Sequence, residues 1–114
     1  MKRVLVRYKV KPDKAEENTA FIEKVFEELK QNSPDGLRYA SFNQDDGVSF
    51  VHIASIEAEE NPLAKTAAFQ RFQANIRDRC EDPPVAVDLH EIGSYRFFGD
   101  ELRLGMMKPQ EIDR

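Results

Sequence analysis

Val48-Ser49-Phe50-Val51-His52-Ile53-Ala54-Ser55-Ile56 follows the turn Asp45-Asp46-Gly47 and is rich in β-branched residues, which makes it a strand. Its odd positions are Ser49, Val51, Ile53 and Ser55. Its even positions are Val48, Phe50, His52, Ala54 and Ile56. Both sets carry apolar residues. A strand with one wet face alternates cleanly, whereas one covered on both faces does not. The chain's own helices can cover one face. The other needs a further layer, and the simplest source is a second copy of the chain.

Upstream, Val4, Val6, Tyr8 and Val10 alternate with Arg3, Leu5, Arg7, Lys9 and Lys11. This is a period-2 strand with an apolar even face and a mostly cationic odd face, and Pro12 ends it. Asp13 and Glu16 have capping-box spacing and predict a helix beginning at Asp13. Ala15, Phe21, Ile22, Val25, Phe26 and Leu29 form its apolar stripe. The turn sequence Ser33-Pro34-Asp35-Gly36 stops it near Asn32. Leu37 to Gln44 reads as a second strand, with Leu37, Tyr39 and Ser41 set against Arg38, Ala40 and Phe42. Asn43 to Gly47 is a hairpin loop, with glycine in the left-handed position.

Downstream, the acidic loop Glu57-Ala58-Glu59-Glu60 leads to Asn61-Pro62, an N-cap followed by proline at the first helical position. Leu63, Ala67, Phe69, Phe72, Ile76 and Cys80 share one side of this second helix. Glu81-Asp82-Pro83-Pro84 stops it. Val85 to Phe98 predicts the last strand, bent at Gly93. The order β-α-β-β-α-β is the split βαβ, or ferredoxin-like, α+β plan: a four-stranded antiparallel sheet in the order 4-1-3-2 with two helices on one face. Residues 1–98 form one domain, and 99–114 form a C-terminal tail.

With 114 residues and a 40% apolar fraction, the chain has the size and core of one domain. Its charge is mixed, 33% of residues with a net of -4, which argues against a general nucleic-acid binder. The run Lys2, Arg3, Arg7, Lys9, Lys11 and Lys14 reads as solvated strand and loop charge. The single cysteine, Cys80, forms no intrachain disulfide, and it fits no zinc spacing with the two histidines. No apolar run reaches the ~18 residues of a membrane span, and no signal-peptide core follows Lys2-Arg3. The expectation is a cytoplasmic protein that binds no membrane and no nucleic acid. No Gly-rich phosphate loop, nucleophile elbow or metal motif is present, so no cofactor is expected.

The chain resembles the dimeric α+β barrel superfamily, and in particular small proteins of the antibiotic-biosynthesis-monooxygenase type. The resemblance covers roughly residues 2–98. It is carried by Val4-Leu5-Val6-Arg7-Tyr8-Lys9-Val10-Lys11-Pro12, by Gly36-Leu37-Arg38-Tyr39, by Phe50-Val51-His52-Ile53-Ala54 and by Ala68-Phe69. It implies a homodimer formed through the open sheet faces, with a pocket between each sheet and its helices. Such proteins include cofactor-independent quinol oxygenases and haem-degrading enzymes. Haem-degrading members place a histidine ligand in the second helix after an Ala-Phe pair, where this chain has Phe72. The chain also has no Trp, a residue that recurs in the active sites of characterised oxygenases of this type.

His52 is the candidate general base, able to take a phenolic proton near neutral pH. Arg7 is the candidate stabiliser of the resulting anion. His90 shares a face with Asp88 and Ile92, and pairing of the last strand with the first puts Asp88 or His90 near Arg7. Tyr39, Phe42, Phe69 and Phe72 are candidate walls of an aromatic pocket, and Asn18 can orient a ligand carbonyl. Each has a plainer reading as core, interface or boundary residue. Cys80 near a helix C-terminus is a poor nucleophile. Two functions follow. One is a cofactor-independent, monooxygenase-like enzyme acting on an aromatic or polyketide-like molecule. The other is a non-catalytic dimer that binds a hydrophobic small molecule or serves as a structural partner.

Overall fold

The computed structural model describes residues 1–97, so Phe98 and the tail 99–114 lie outside the described residues. Its strands are β1 (Lys2–Val10), β2 (Leu37–Asn43), β3 (Ser49–Ile56) and β4 (Cys80–Leu89), and its helices are α1 (Ala15–Asn32), α2 (Ala67–Ala74) and α3 (Ile76–Arg79). The sheet is antiparallel with the order β2-β3-β1-β4, so β1 and β3 are central, as the pattern predicts.

Register sorts the side chains into two faces. One face carries the rows Tyr39, Ala54, Val4, Asp88 and Ser41, His52, Val6, Ala86. The helices pack on it. Tyr8, Val10, Phe50, Ile22, Val25, Leu63, Ala68 and Phe72 form the core there, each large apolar side chain contributing roughly 1.5–3 kcal/mol by its burial. The opposite face carries Ala40, Ile53, Leu5, Val87 and then Phe42, Val51, Arg7, Val85. No helix among the described residues covers it, and Phe42, Val85 and Val87 are 37%, 50% and 46% exposed. The doubly apolar β3 is thus explained on one side by the helices and left open on the other.

Three local expectations need correction. The first helix does not open on an Asp13 capping box. Pro12 starts a 3-10 turn, Pro12–Lys14, so Asp13 lies inside the helical path and caps nothing. The second helix does not run from Pro62 to Cys80. The Asn61 side chain accepts the Leu63 N–H at 2.9 Å, but it opens only a short 3-10 turn. α2 begins at Ala67, where the Glu28 carboxylate of α1 accepts the N–H groups of Ala67 and Ala68 at 3.1 and 2.9 Å. An anion at a helix N-terminus is favourable, and this one ties the two helices together. The last strand is Cys80–Leu89, not 85–98. Pro83-Pro84 sits within it because β4 is an edge strand, where a missing N–H is tolerated. Two irregularities flank this stretch, one between the pairs Arg7–Val85 and Lys9–Asp82 and one between Lys9–Asp82 and Val10–Cys80, and Gly93 lies beyond the strand.

α1 ends at Ser33, left-handed at φ 42°, whose N–H reaches Leu29 O at 2.8 Å. Gly36 follows at φ +77°, and a Cβ there would lie 3.0 Å from the Ala58 Cβ and backbone nitrogen. Gly47 in the β2–β3 hairpin has φ +79° but open space around it. Gly36→Ala is therefore expected to cost roughly 2–3 kcal/mol from strain and crowding together, and Gly47→Ala about 1 kcal/mol from strain alone. Urea unfolding of both variants checks the order; equal losses would mean the Ala58 contact does not matter.

Candidate functional site

The alternation that buries β1 and β3 also buries polar groups. Tyr8 and His52 are each 4% exposed, Asn18 0% and Arg79 1%. They are joined in a line from α3 through α1 to the sheet. Arg79 Nε donates to Asn18 Oδ1 at 3.1 Å. Asn18 Nδ2 donates to Tyr8 Oη at 2.9 Å. Tyr8 Oη lies 2.7 Å from His52 Nε2. Tyr39 Oη and Ser41 Oγ both lie 2.7 Å from His52 Nδ1.

The donor inventory fixes the sense of this line. A guanidinium only donates, so the Asn18 carbonyl oxygen must face Arg79 and the amide nitrogen must face Tyr8. The Tyr8 oxygen then accepts from Asn18, and its own proton goes to His52 Nε2. His52 therefore carries its proton on Nδ1 and shares it with Tyr39 and Ser41. A neutral imidazole suits this arrangement, and burial drives the His52 pKa down to about 4. Burial raises Tyr39 to about 12, with the Ser41 hydrogen bond opposing. Burial also raises Tyr8, against the Asn18 hydrogen bond and the Arg79 charge. At neutral pH the line holds one charge, the Arg79 cation.

Aromatic rings enclose the line. Tyr8 stacks on Phe50 and His52 at 5.5 and 5.3 Å between centroids. Phe72 lies 5.5 Å from His52, Phe69 lies 5.9 Å from Phe72, and Tyr39 meets Phe69 edge-on at 6.4 Å. Among the described residues, no group of His, Cys, Asp and Glu could hold a metal ion. A shallow hollow of about 310 Å³ lies between α1 and the β2–β3 hairpin, lined by Ala15, Thr19 and Gly47; it does not reach His52.

The structure brings together His52, Asn18, Tyr39, Phe69 and Phe72 from the expected set. It separates the others. Arg7 pairs with Val51 and Val85 on the open face, so it stands on the far side of the sheet from His52. Phe42 pairs with Val51 on that same open face, because it is three residues from Tyr39 and the strand period is two. Asp88 pairs with Val4 on the helix face and so is not beside Arg7. His90 is exposed, one residue beyond β4, and shares no row with His52. Three members of the line were not singled out as site residues: Tyr8, Ser41 and Arg79. Tyr8 stands on the even face of β1, and Ser41 on the Tyr39 face of β2. Arg79 is seven residues after Phe72, a spacing that returns to the same helical face.

No protein-family model and no curated protein sequence matches the chain. Solved structures do. Rv0793 from Mycobacterium tuberculosis matches with a TM-score of 0.66 at 16% identity, over 82% of this chain and 96% of that one. An antibiotic biosynthesis monooxygenase matches at 0.63 and 19%, over 82% and 100%. A variant of SnoaB, a cofactor-independent oxygenase from Streptomyces nogalater, matches at 0.61 and 12%, over 83% and 96%. The chain has the fold of these proteins. At such identities the likeness is one of fold, the ferredoxin-like α+β arrangement of sheet and helices, and the residues of the buried line must be read on their own chemistry. No helix among the described residues is long and apolar enough to cross a membrane.

The buried imidazole makes stability depend on pH. The folded state keeps His52 neutral down to about pH 4, whereas the unfolded chain takes up the proton near 6.5. Below 6.5 the unfolded state binds more protons, so stability falls as pH drops through this window, by at most about 3 kcal/mol. Urea unfolding at pH 7 and near pH 4.5 should show this loss in the native chain, and His52→Gln should flatten the slope. An identical slope in the variant would place the titration elsewhere.

Proposed function

We propose that the chain is a small cofactor-independent, monooxygenase-like enzyme that acts on an aromatic or polyketide-like molecule as a homodimer. The observation that carries this reading is the buried line itself: a neutral imidazole, a phenol and a carboxamide joined to one cation inside an aromatic shell. In a site of low dielectric, a fixed cation and aligned donors favour a developing negative charge far more than they would in water. In this reading an acidic phenol or enol is seated between helices and sheet with its hydroxyl against Tyr8. Its proton passes to Tyr8 Oη as the Tyr8 proton passes to His52 Nε2, and the anion formed is the species that reduces oxygen. In this arrangement His52 is the base and works through Tyr8, and Asn18 orients the oxygen. Tyr39, Phe69 and Phe72 wall the ring system. The anion-stabilising role expected of Arg7 falls to Arg79 within the protomer, while Arg7 faces the partner.

The homodimer is supported by the open face. Leu5, Ala40, Phe42, Val51, Ile53, Val85 and Val87 form a contiguous apolar field across the sheet, and such fields mark interfaces. Light scattering at micromolar concentration should give a mass of two chains of 13.2 kDa. Val87→Lys on the open face should shift the mass toward one chain; a native monomer would end the barrel reading.

A specific observation favours the alternative, a non-catalytic binding or structural dimer. His52 is enclosed and weakly basic, as befits a satisfied structural network. Oxygen uptake with a panel of polycyclic phenols and quinols separates the two. Under the enzyme reading, His52→Ala lowers uptake by about 100-fold or more while the dimer persists. Under the structural reading no member of the panel supports uptake, and the same substitution lowers only stability.

A further inference from the structure

We propose that Arg79 is the receiving group of a binding site for one anionic oxygen, an enolate, phenolate or carboxylate on an aromatic body. This deepens the ligand-binding reading of the same core and rests on it.

The argument begins with the donors of the guanidinium. Nε is given to Asn18, and Nη2 is given to the Phe72 carbonyl at 2.8 Å. Nη1 is buried and has no partner, and it is the only such side-chain atom among the described residues. Buried donors are nearly always satisfied, and one left over in an otherwise complete network marks a missing acceptor.

Charge points the same way. Arg79 is 1% exposed, and no carboxylate of the described residues pairs with it. Its ionisable neighbours give it no paired carboxylate: Tyr8 and Cys80 are kept protonated by burial, and the exposed Glu17 attracts it only through space while lying 4.0 Å from Lys14. The rings of Phe21 and Phe72, 4.6 and 5.3 Å from the guanidinium carbon, offset part of the desolvation cost but carry no charge. A tie between α1 and α2 needs only the Nε and Nη2 bonds, and a neutral donor could make it without burying a cation. The charge and the free Nη1 are left for something else.

The surroundings define its class. One free donor group with no second cation suits a single anionic oxygen better than a phosphate. The aromatic walls suit a flat apolar body. Phe21, a half-buried ring packed against the core, lies over the guanidinium at 4.6 Å, and in this proposal the ligand reaches Nη1 by displacing it.

The test uses 4-nitrophenol with the full-length chain, at a pH below the probe's own pKa. Binding at Arg79 should enrich the coloured phenolate. Arg79→Met, confirmed folded by circular dichroism, should weaken phenolate binding at least tenfold, and Phe21→Ala should speed it several-fold. If Arg79→Met does not fold, the native chain labelled with nitrogen-15 decides: the Arg79 Nη1 resonance should move on titration. The proposal is overturned if the folded variant binds phenolate as tightly as the native chain, if only neutral phenol is bound, or if Nη1 does not respond at saturating probe, as when an internal water satisfies it. Phenolate binding without oxygen uptake on any substrate removes the oxygenase reading and leaves this site standing. Uptake without Arg79-dependent phenolate does the reverse.

Discussion

A guanidinium can donate hydrogen bonds but cannot accept them, and the interior of this molecule is arranged around that asymmetry. Arg79 faces the Asn18 carbonyl oxygen, and from there each group has one remaining choice. The amide turns its nitrogen to Tyr8, Tyr8 gives its proton to His52, and His52 keeps its own proton on the side of Ser41 and Tyr39. The line crosses every layer of the fold, from the short helix before β4 through α1 into both central strands. Helices and sheet are held in register by polar contacts of fixed direction, in addition to the packing of Val10, Val25, Phe50 and Phe72. Turning the Asn18 amide over would set its Nδ2 donors against the Arg79 Nε–H.

The strand period separates two tasks. Even positions of β1 and β3 carry the polar line and the core, while odd positions carry the open apolar field. The polar line and the apolar field therefore lie on opposite faces of the same two strands. This explains why His52 and Arg7, which look like natural partners in a list of charged and titratable residues, do not meet. It also gives Arg7 an unusual setting, between Val51 and Val85 in the middle of the apolar field.

Element type and order were legible because each rests on a local signal: alternation in Val4 to Val10, the helical stripe from Ile22 to Leu29, the turn at Pro34-Asp35-Gly36, the doubly apolar β3. Boundaries were less so, since they depend on tertiary partners. The N-terminus of α2 is capped by Glu28, 39 residues earlier than Ala67 in the chain, and no local motif announces that. Pro83-Pro84 looks like a stop until β4 is known to be an edge. For the site, His52, Asn18 and Tyr39 could be picked out because polar residues on apolar faces are visible in a sequence. Arg79 was passed over because arginines on helices are usually solvated, and only the packing of Phe21, Asn18 and Phe72 around it shows otherwise. Phe42 was misplaced with the pocket although its parity already assigned it to the other face.

The two prolines of β4 have a consequence for how copies of this protein can meet. A sheet edge invites another strand to add along it, and repeated addition has no natural end. Neither proline has an N–H to offer, so that edge is a poor template for lateral growth. What remains attractive is the broad face, which a single second face can cover completely. Two residues thereby disfavour open-ended growth along β4 while leaving the broad apolar face untouched.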